Sequence, residues 1–214
     1  MPSITITLSQ QTIAGLLDGK YRLLAFQAVN TVAPGAMPLV WYQTTHFTTS
    51  TVVSWSDAFM AYASQSQISS YAVIQMDSED SIALGDTVAI ETGFLMQPQP
   101  GGQAGAVSII NQDPRPCTAG IGQAAAGAPS SPICAVPLNS HAMAVIQPTN
   151  EIFLMFLPMA VPNGTVLTQA IFPGILVDFE NQTTAEVGFS LDGAWSGKGQ
   201  KTPPNTDLVP LLTG

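Results

Sequence analysis

The segment Ser3–Leu8 reads SITITL, and its apolar residues Ile4, Ile6 and Leu8 recur at every second position. A period of two sets them on one face of an extended strand, with the hydroxyl residues on the other. Strand character returns at 21–29, 38–45, 70–76, 86–96 and 104–111, then at 142–147, 151–157, 165–172, 175–180 and 186–191. A helical period is clear once: Ile13, Leu16 and Leu17 follow Ser9, a capping residue, with Gly19 just beyond. Turn chemistry separates the strands, in the polar run 77–81, the PQPGGQ segment 98–103 and the Asn163-Gly164 pair.

About eleven short strands with almost no helix predict an all-β chain. The expected architecture is a single-domain antiparallel β-sandwich over 1–214, jelly-roll-like or barrel-like, with at most one short helix near the N-terminus. Between 112 and 132 the periodicity vanishes, which predicts a long surface loop. The stretch 197–214, with Pro203, Pro204 and Pro210, predicts an extended C-terminal tail. The tetrapeptide Ala-Val-Ile-Gln occurs at 72–75 and again at 144–147, a hint of two similar sheets.

Composition changes the picture through charge. Charged residues make up only 9% of the 214 residues, against about a quarter in an ordinary soluble domain. Five Lys and Arg face 14 Asp and Glu, giving a formal net charge of −9. Between Arg22 and Arg115, and again between Arg115 and Lys198, there is no fixed cation. Nucleic acid is held through phosphates by clustered Lys and Arg, so this sequence predicts no nucleic-acid partner. Attraction to anionic lipid is excluded for the same reason, while neutral lipid headgroups and uncharged sugars remain. The N-terminus has neither the basic nor the apolar region of a signal peptide, so the expected location is cytosolic, or outside after release without a cleaved signal. The apolar stretch 152–161 contains Pro158 and is too short to span a bilayer.

Chemistry-bearing residues are sparse. Metalloprotease, nucleophile-elbow, Cys-x-x-Cys and phosphate-loop signatures are all missing, and no cofactor is expected. Cys117 and Cys134 flank a small-residue segment, and a disulfide between them is one expectation; two reduced thiols are the other. Asp77, Glu79 and Asp80 are the densest acidic group and the alternative for a Ca²⁺ site, against a plain polar turn. Asp178 and Glu180, two apart on a strand, are the catalytic alternative, because paired carboxylates can hydrolyse glycosides when they straddle a substrate. His46 and His141 are the only histidines, and their spacing fits no zinc module.

Aromatic placement is the strongest lead. Trp41, Tyr42, His46, Phe47, Trp55, Phe59 and Tyr62 crowd one region amid Thr, Ser and Gln. Such rings either fill a core or offer flat faces to sugars and interfaces. The ligand-binding candidates are Trp41, Tyr42, Trp55 and Tyr62. The Thr/Ser-rich run 44–56 also resembles the amphipathic hairpins that membrane-inserting toxins use. The expected function is therefore a non-enzymatic binding protein for an uncharged glycan or neutral lipid headgroup, with a membrane-active toxin as its variant. The alternatives are a self-assembling structural subunit, which implies a homo-oligomer, and a hydrolase using the carboxylate pair.

Overall fold

Inward-facing rows of alternating apolar residues build two curled sheets that pack in a sandwich-like arrangement within one compact domain. The structure, a computed structural model, describes residues 1–125 and 127–214. The first half of the chain runs β1 (Ser3–Leu8), α1 (Gln10–Asp18), β2 (Arg22–Thr31), β3 (Met37–Pro38), β4 (Tyr42–Thr44), β5 (Ser50–Ser64), β6 (Ser78–Ile82), β7 (Asp86–Glu91), β8 (Leu95–Pro100) and β9 (Val107–Asn111). The second half runs β10 (Cys117–Ala125), β11 (Ser130–Pro132), β12 (Cys134–Leu138), β13 (Met143–Leu157), β14 (Gln169–Ala170), β15 (Gly174–Asp178), β16 (Thr184–Phe189), β17 (Trp195–Gly197), β18 (Gln200–Thr202), β19 (Thr206–Asp207) and α2 (Leu208–Leu212).

The first sheet has nine strands in the order β17-β16-β1-β5-β10-β12-β3, with β6 on β5 and β11 on β10. The second has eight, in the order β18-β15-β13-β9-β7-β8, with β2 on β13 and β4 on β2. Pairing is antiparallel except at two places, β1 with β16 and β7 with β9, so the sandwich is mixed rather than wholly antiparallel.

The main core lies between the sheets. Ile4, Ile6 and Leu8 of β1 enter it as their alternation requires, and Leu23, Ala25 and Val29 of β2 meet them from the other side. β2 and β13 are covered on their outer faces as well. Leu24, Phe26, Phe153 and Met155 form a second core beneath Leu208 and Leu212 of α2. Burial on both faces explains why β2 and the second half of β13, Ile152–Leu157, read as nearly unbroken apolar runs. It also gives the C-terminal segment its role: within 197–214, β18 extends the edge of the second sheet and β19 leads into α2, which covers that sheet's outer face, where an extended tail was expected. α1 begins as anticipated, with the Ser9 hydroxyl accepting from the Thr12 amide at 3.0 Å.

Three further expectations are corrected. The loop expected over 112–132 contains β10, a central strand between β5 and β12, and β11 beside it. Ala126 of that stretch lies outside the described residues. The polar turn expected at 77–81 is largely β6. The two Ala-Val-Ile-Gln copies are not equivalent: 144–147 belongs to β13, whereas 72–75 carries only an isolated bridge at Val73.

Candidate functional site

β5 and β13 are the two longest strands, 15 residues each, and both change partners halfway. β5 pairs with β1 up to Ser54, then with β6 from Phe59 onward. β13 pairs with β9 up to Ile146 and with β15 from Glu151. At each switch the strand bulges against its long-range neighbour. On β10, Gln123 faces Phe59 and Ala125 faces Trp55, so Ser56, Asp57 and Ala58 stand opposite Ala124 alone. On β2, Val29 faces Pro148 and Gln27 faces Ile152, so Thr149, Asn150 and Glu151 stand opposite Ala28 alone. Bulges of this kind bend a strand and re-aim its side chains.

The two bulges lie across the sandwich from one another and frame a cavity of about 380 Å³. Trp55, Asp57 and Phe59 line it from the first sheet; Thr149, Asn150 and Ile152 line it from the second. Phe179 and Gln182, beyond β15, and Pro2 and Leu84 line it as well.

Its most telling residues are two glutamines. Gln27 is 5% exposed and Gln123 is 1% exposed, and each interrupts an otherwise apolar inward-facing row. The arrangement is the same in both sheets. Gln123 Nε2 donates to the Ser56 carbonyl at 2.7 Å, and Gln27 Nε2 donates to the Thr149 carbonyl at 3.4 Å, in each case to the bulge opposite. Both Oε1 atoms are buried without a hydrogen-bond partner among the described residues. Both residues line the cavity. An acceptor left unpaired in a protein interior costs about 1–3 kcal/mol, so a pair of them calls for a physical reason.

Of the four aromatic candidates from the sequence, Trp55 alone lines this cavity. Its ring meets Phe179 edge-on at 5.1 Å and Trp41 at 5.8 Å. Trp41 is fully buried behind it and donates its indole N–H to the Gln123 carbonyl at 3.0 Å. Tyr62 is also fully buried, on the outer face of the first sheet, where its hydroxyl donates to the Cys134 carbonyl at 2.7 Å. Burial pushes its ionisation well above the ordinary tyrosine range. Tyr42 is half-buried and packs on the main core. Trp41 and Tyr62 thus present no face to a ligand: Trp41 is enclosed in the main core, and Tyr62 is covered on the outer face of its sheet by Leu39, Ile74 and Val166. Gln27 and Gln123 carry the signal that sequence reading passed over: a single polar residue set inside an apolar row.

The remaining candidates disperse. Cys117 and Cys134 are free and buried. Cys117 lies opposite Leu138 on β12, four positions along the ladder from Cys134, which is about 13 Å of strand and far beyond disulfide reach. The expected crosslink is therefore replaced by two core thiols, which burial pushes up to about 11 and about 12. Asp77 is taken up by the Gln65 amide at 2.7 Å, while Glu79 and Asp80, adjacent on β6, point to opposite faces. No group of three or more His, Cys, Asp or Glu among the described residues is placed to hold a metal. Asp178 and Glu180 are exposed, and the Glu180 amide donates to Asp178 Oδ1 at 2.7 Å, closing a turn. Glu151 lies directly across from Asp178, and burial, then the Asp178 charge, raises its carboxyl above the usual range. His46 and His141 are exposed. The segment 44–56 is no hairpin, since β4 belongs to the second sheet and β5 to the first. Among the described residues, no helix is long and apolar enough to cross a membrane.

One polar cluster stands apart from the cavity and holds the fold. Arg115 grips Asp113 through Nε and Nη2, both at 2.9 Å, and its guanidinium lies 4.7 Å from the centre of the Phe94 ring. The Gly93 amide donates to Asp113 Oδ2 at 2.8 Å, which ties in the β7–β8 turn, where Gly93 and Phe94 both take positive φ. Hydrogen bonds from Arg115 hold the Asp113 carboxyl well below the usual carboxylate range. A lowered folded value means that stability is fully present above the unfolded value of about 3.9 and is lost as pH falls through the folded one. Asp113→Asn is therefore expected to be less stable than the parent at pH 7, with the gap narrowing towards pH 2. Urea melts at pH 7, 4 and 2.5 measure this, and a gap that stays constant with pH would refute it.

Comparison with protein-family models, with curated proteins and with solved structures finds no match for this chain.

Proposed function

We propose that this protein is a non-enzymatic binding protein whose ligand is a short, non-anionic glycan held in the cavity between the two bulges. The observation that carries the reading is the pair of buried, unpartnered amide oxygens of Gln27 and Gln123 on the cavity wall. Sugar hydroxyls are small donors of the kind these acceptors lack. Trp55, Phe59 and Phe179 add the apolar surface that a sugar ring's C–H face packs against. A few placed polar groups in a largely apolar concavity is the usual make-up of a small-ligand site. Asp57 on the wall, and no Lys, Arg or His among the lining residues, disfavour sialylated, sulfated or phosphorylated sugars. Ordered water is the competing occupant of such a cavity.

The test is binding of immobilised neutral and amino glycans by the intact chain and by Gln27→Met. Methionine keeps the side chain's length and removes the orphaned oxygen. The only bond lost is the 3.4 Å contact to Thr149, so stability should stay within about 1 kcal/mol of the parent. Affinity should fall at least tenfold. A parent chain that binds no glycan, or a variant that binds as well as the parent, would overturn the reading.

A further inference from the structure

We infer that the cavity selects a glycan carrying a primary ammonium, an amino sugar, over its neutral parent. This rests on the proposed glycan-binding reading and narrows its non-anionic ligand to a cationic one. Each lining glutamine spends one amide N–H on the protein: Gln123 on Ser56, Gln27 on Thr149, and Gln182 on the Asp178 carbonyl at 2.6 Å. The Thr149 hydroxyl is likewise spent on the Ala28 carbonyl at 3.0 Å. The Oε1 atoms of Gln27 and Gln123, by contrast, have no donor at all among the described residues. A hydroxyl brings a single donor and so serves only one of these two orphaned oxygens. A primary ammonium brings three donors, which matches two orphaned oxygens and the wall carboxylate of Asp57.

Charge points the same way from separate residues. Asp57 stands on the wall of the cavity. A second groove shares Pro148, Thr149 and Asn150 with it and is lined by Glu151, Asp178 and Glu180. Neither lining includes Lys, Arg or His. Glu151 and Asp178 face one another directly across the β13–β15 ladder, a like-charge pairing that destabilises a sheet unless a cation lies near. The rings of Trp55, Phe59 and Phe179 offer a cation faces of the right sign. A quaternary ammonium would satisfy the rings and the carboxylate but would leave both amide oxygens unpaired, which is why the primary amine is favoured.

The experiment titrates the full chain with glucosamine, galactosamine and mannosamine, with the three parent hexoses, and with ethanolamine as a cation without a sugar ring. Saturation-transfer NMR and intrinsic tryptophan fluorescence report binding. At least one hexosamine should bind tenfold or more tightly than its parent hexose and than ethanolamine. That advantage should disappear in Asp57→Asn, an exposed position whose thermal melt should match the parent. Equal binding of hexosamine and hexose would overturn the ammonium inference and leave the glycan reading standing. Equal binding of ethanolamine and hexosamine would reduce the effect to attraction by a chain of net charge −9 and overturn the inference. An advantage that survives in Asp57→Asn overturns it as well. Binding of no sugar at all removes both readings together.

Discussion

Trp41→Ala is expected to cost about 3–5 kcal/mol of stability, the loss typical when a large ring is cut from a core. Trp41 is 0% exposed and is among the largest fully buried side chains. Three separate contributions fail at once. The ring volume between the sheets empties; the edge-on contact with Trp55 at 5.8 Å is lost; and the Gln123 carbonyl loses the indole donor at 3.0 Å. The last two connect stability to the site, because Trp55 and Gln123 are a wall and an acceptor of the cavity. Trp41→Phe is the milder test, since it keeps one six-membered ring in the core and removes the N–H together with the five-membered ring, and it should cost less than Trp41→Ala. Urea denaturation followed by circular dichroism checks both variants. A loss under about 1 kcal/mol in Trp41→Ala would mean that the ring is not packed as described.

The cavity pulls in the opposite direction. The two glutamines sit in rows otherwise occupied by Leu23, Ala25 and Val29 on one side and Ala119, Ile121 and Ala125 on the other. An apolar residue at either position would continue the core and remove an unpaired acceptor. Local departures from the rules that build a fold are expected where a fold does work, and here two departures meet in one place. The bulges show the same geometry from the backbone: three residues against one in each sheet, both opening onto the same space.

How much of this was legible in the chain depends on side-chain size. β1 could be read directly, because Ile4, Ile6 and Leu8 are large and alternate with hydroxyl residues. α1 could be read from its cap and its apolar spacing. The class of fold followed from many such strands. β10 could not be read, although it is buried along nearly its whole length. Its sequence, CTAGIGQAA, is small on both faces, because β5 and β12 flank it closely and both faces are covered. Hydropathy contrast, which marks a half-exposed strand, is absent from a strand with no exposed face. Trp41, Tyr42, Trp55 and Tyr62 could be identified as important but not sorted, since neighbours on a strand point to opposite faces and register decides which is inside. The cavity itself arises from register shifts between strands distant in sequence, and no local pattern encodes those.

Gly120 is where the hidden strand can be tested. A methyl group there would collide with the Cys134 carbonyl oxygen and stand 2.7 Å from Cε1 and 2.8 Å from the hydroxyl of Tyr62. Neither neighbour can give way. Cys134 belongs to β12, held by the ladder to β10, and the Tyr62 ring is fully buried and pinned by its hydroxyl to that same carbonyl. Gly120→Ala is therefore expected to cost about 3 kcal/mol, the upper end of ordinary overpacking, even though alanine suits most strand positions better than glycine. The damage should extend along β10 to Gln123, three residues on, so ligand affinity should fall in whatever fraction stays folded. Gly127→Ala supplies the control for general glycine loss: its φ of +78° brings backbone strain alone, and nothing lies within 4 Å of the added methyl. Thermal melts of the two variants side by side should show the larger drop at Gly120. A larger drop at Gly127, or none at Gly120, would mean that β10 does not lie pressed between Tyr62 and β12.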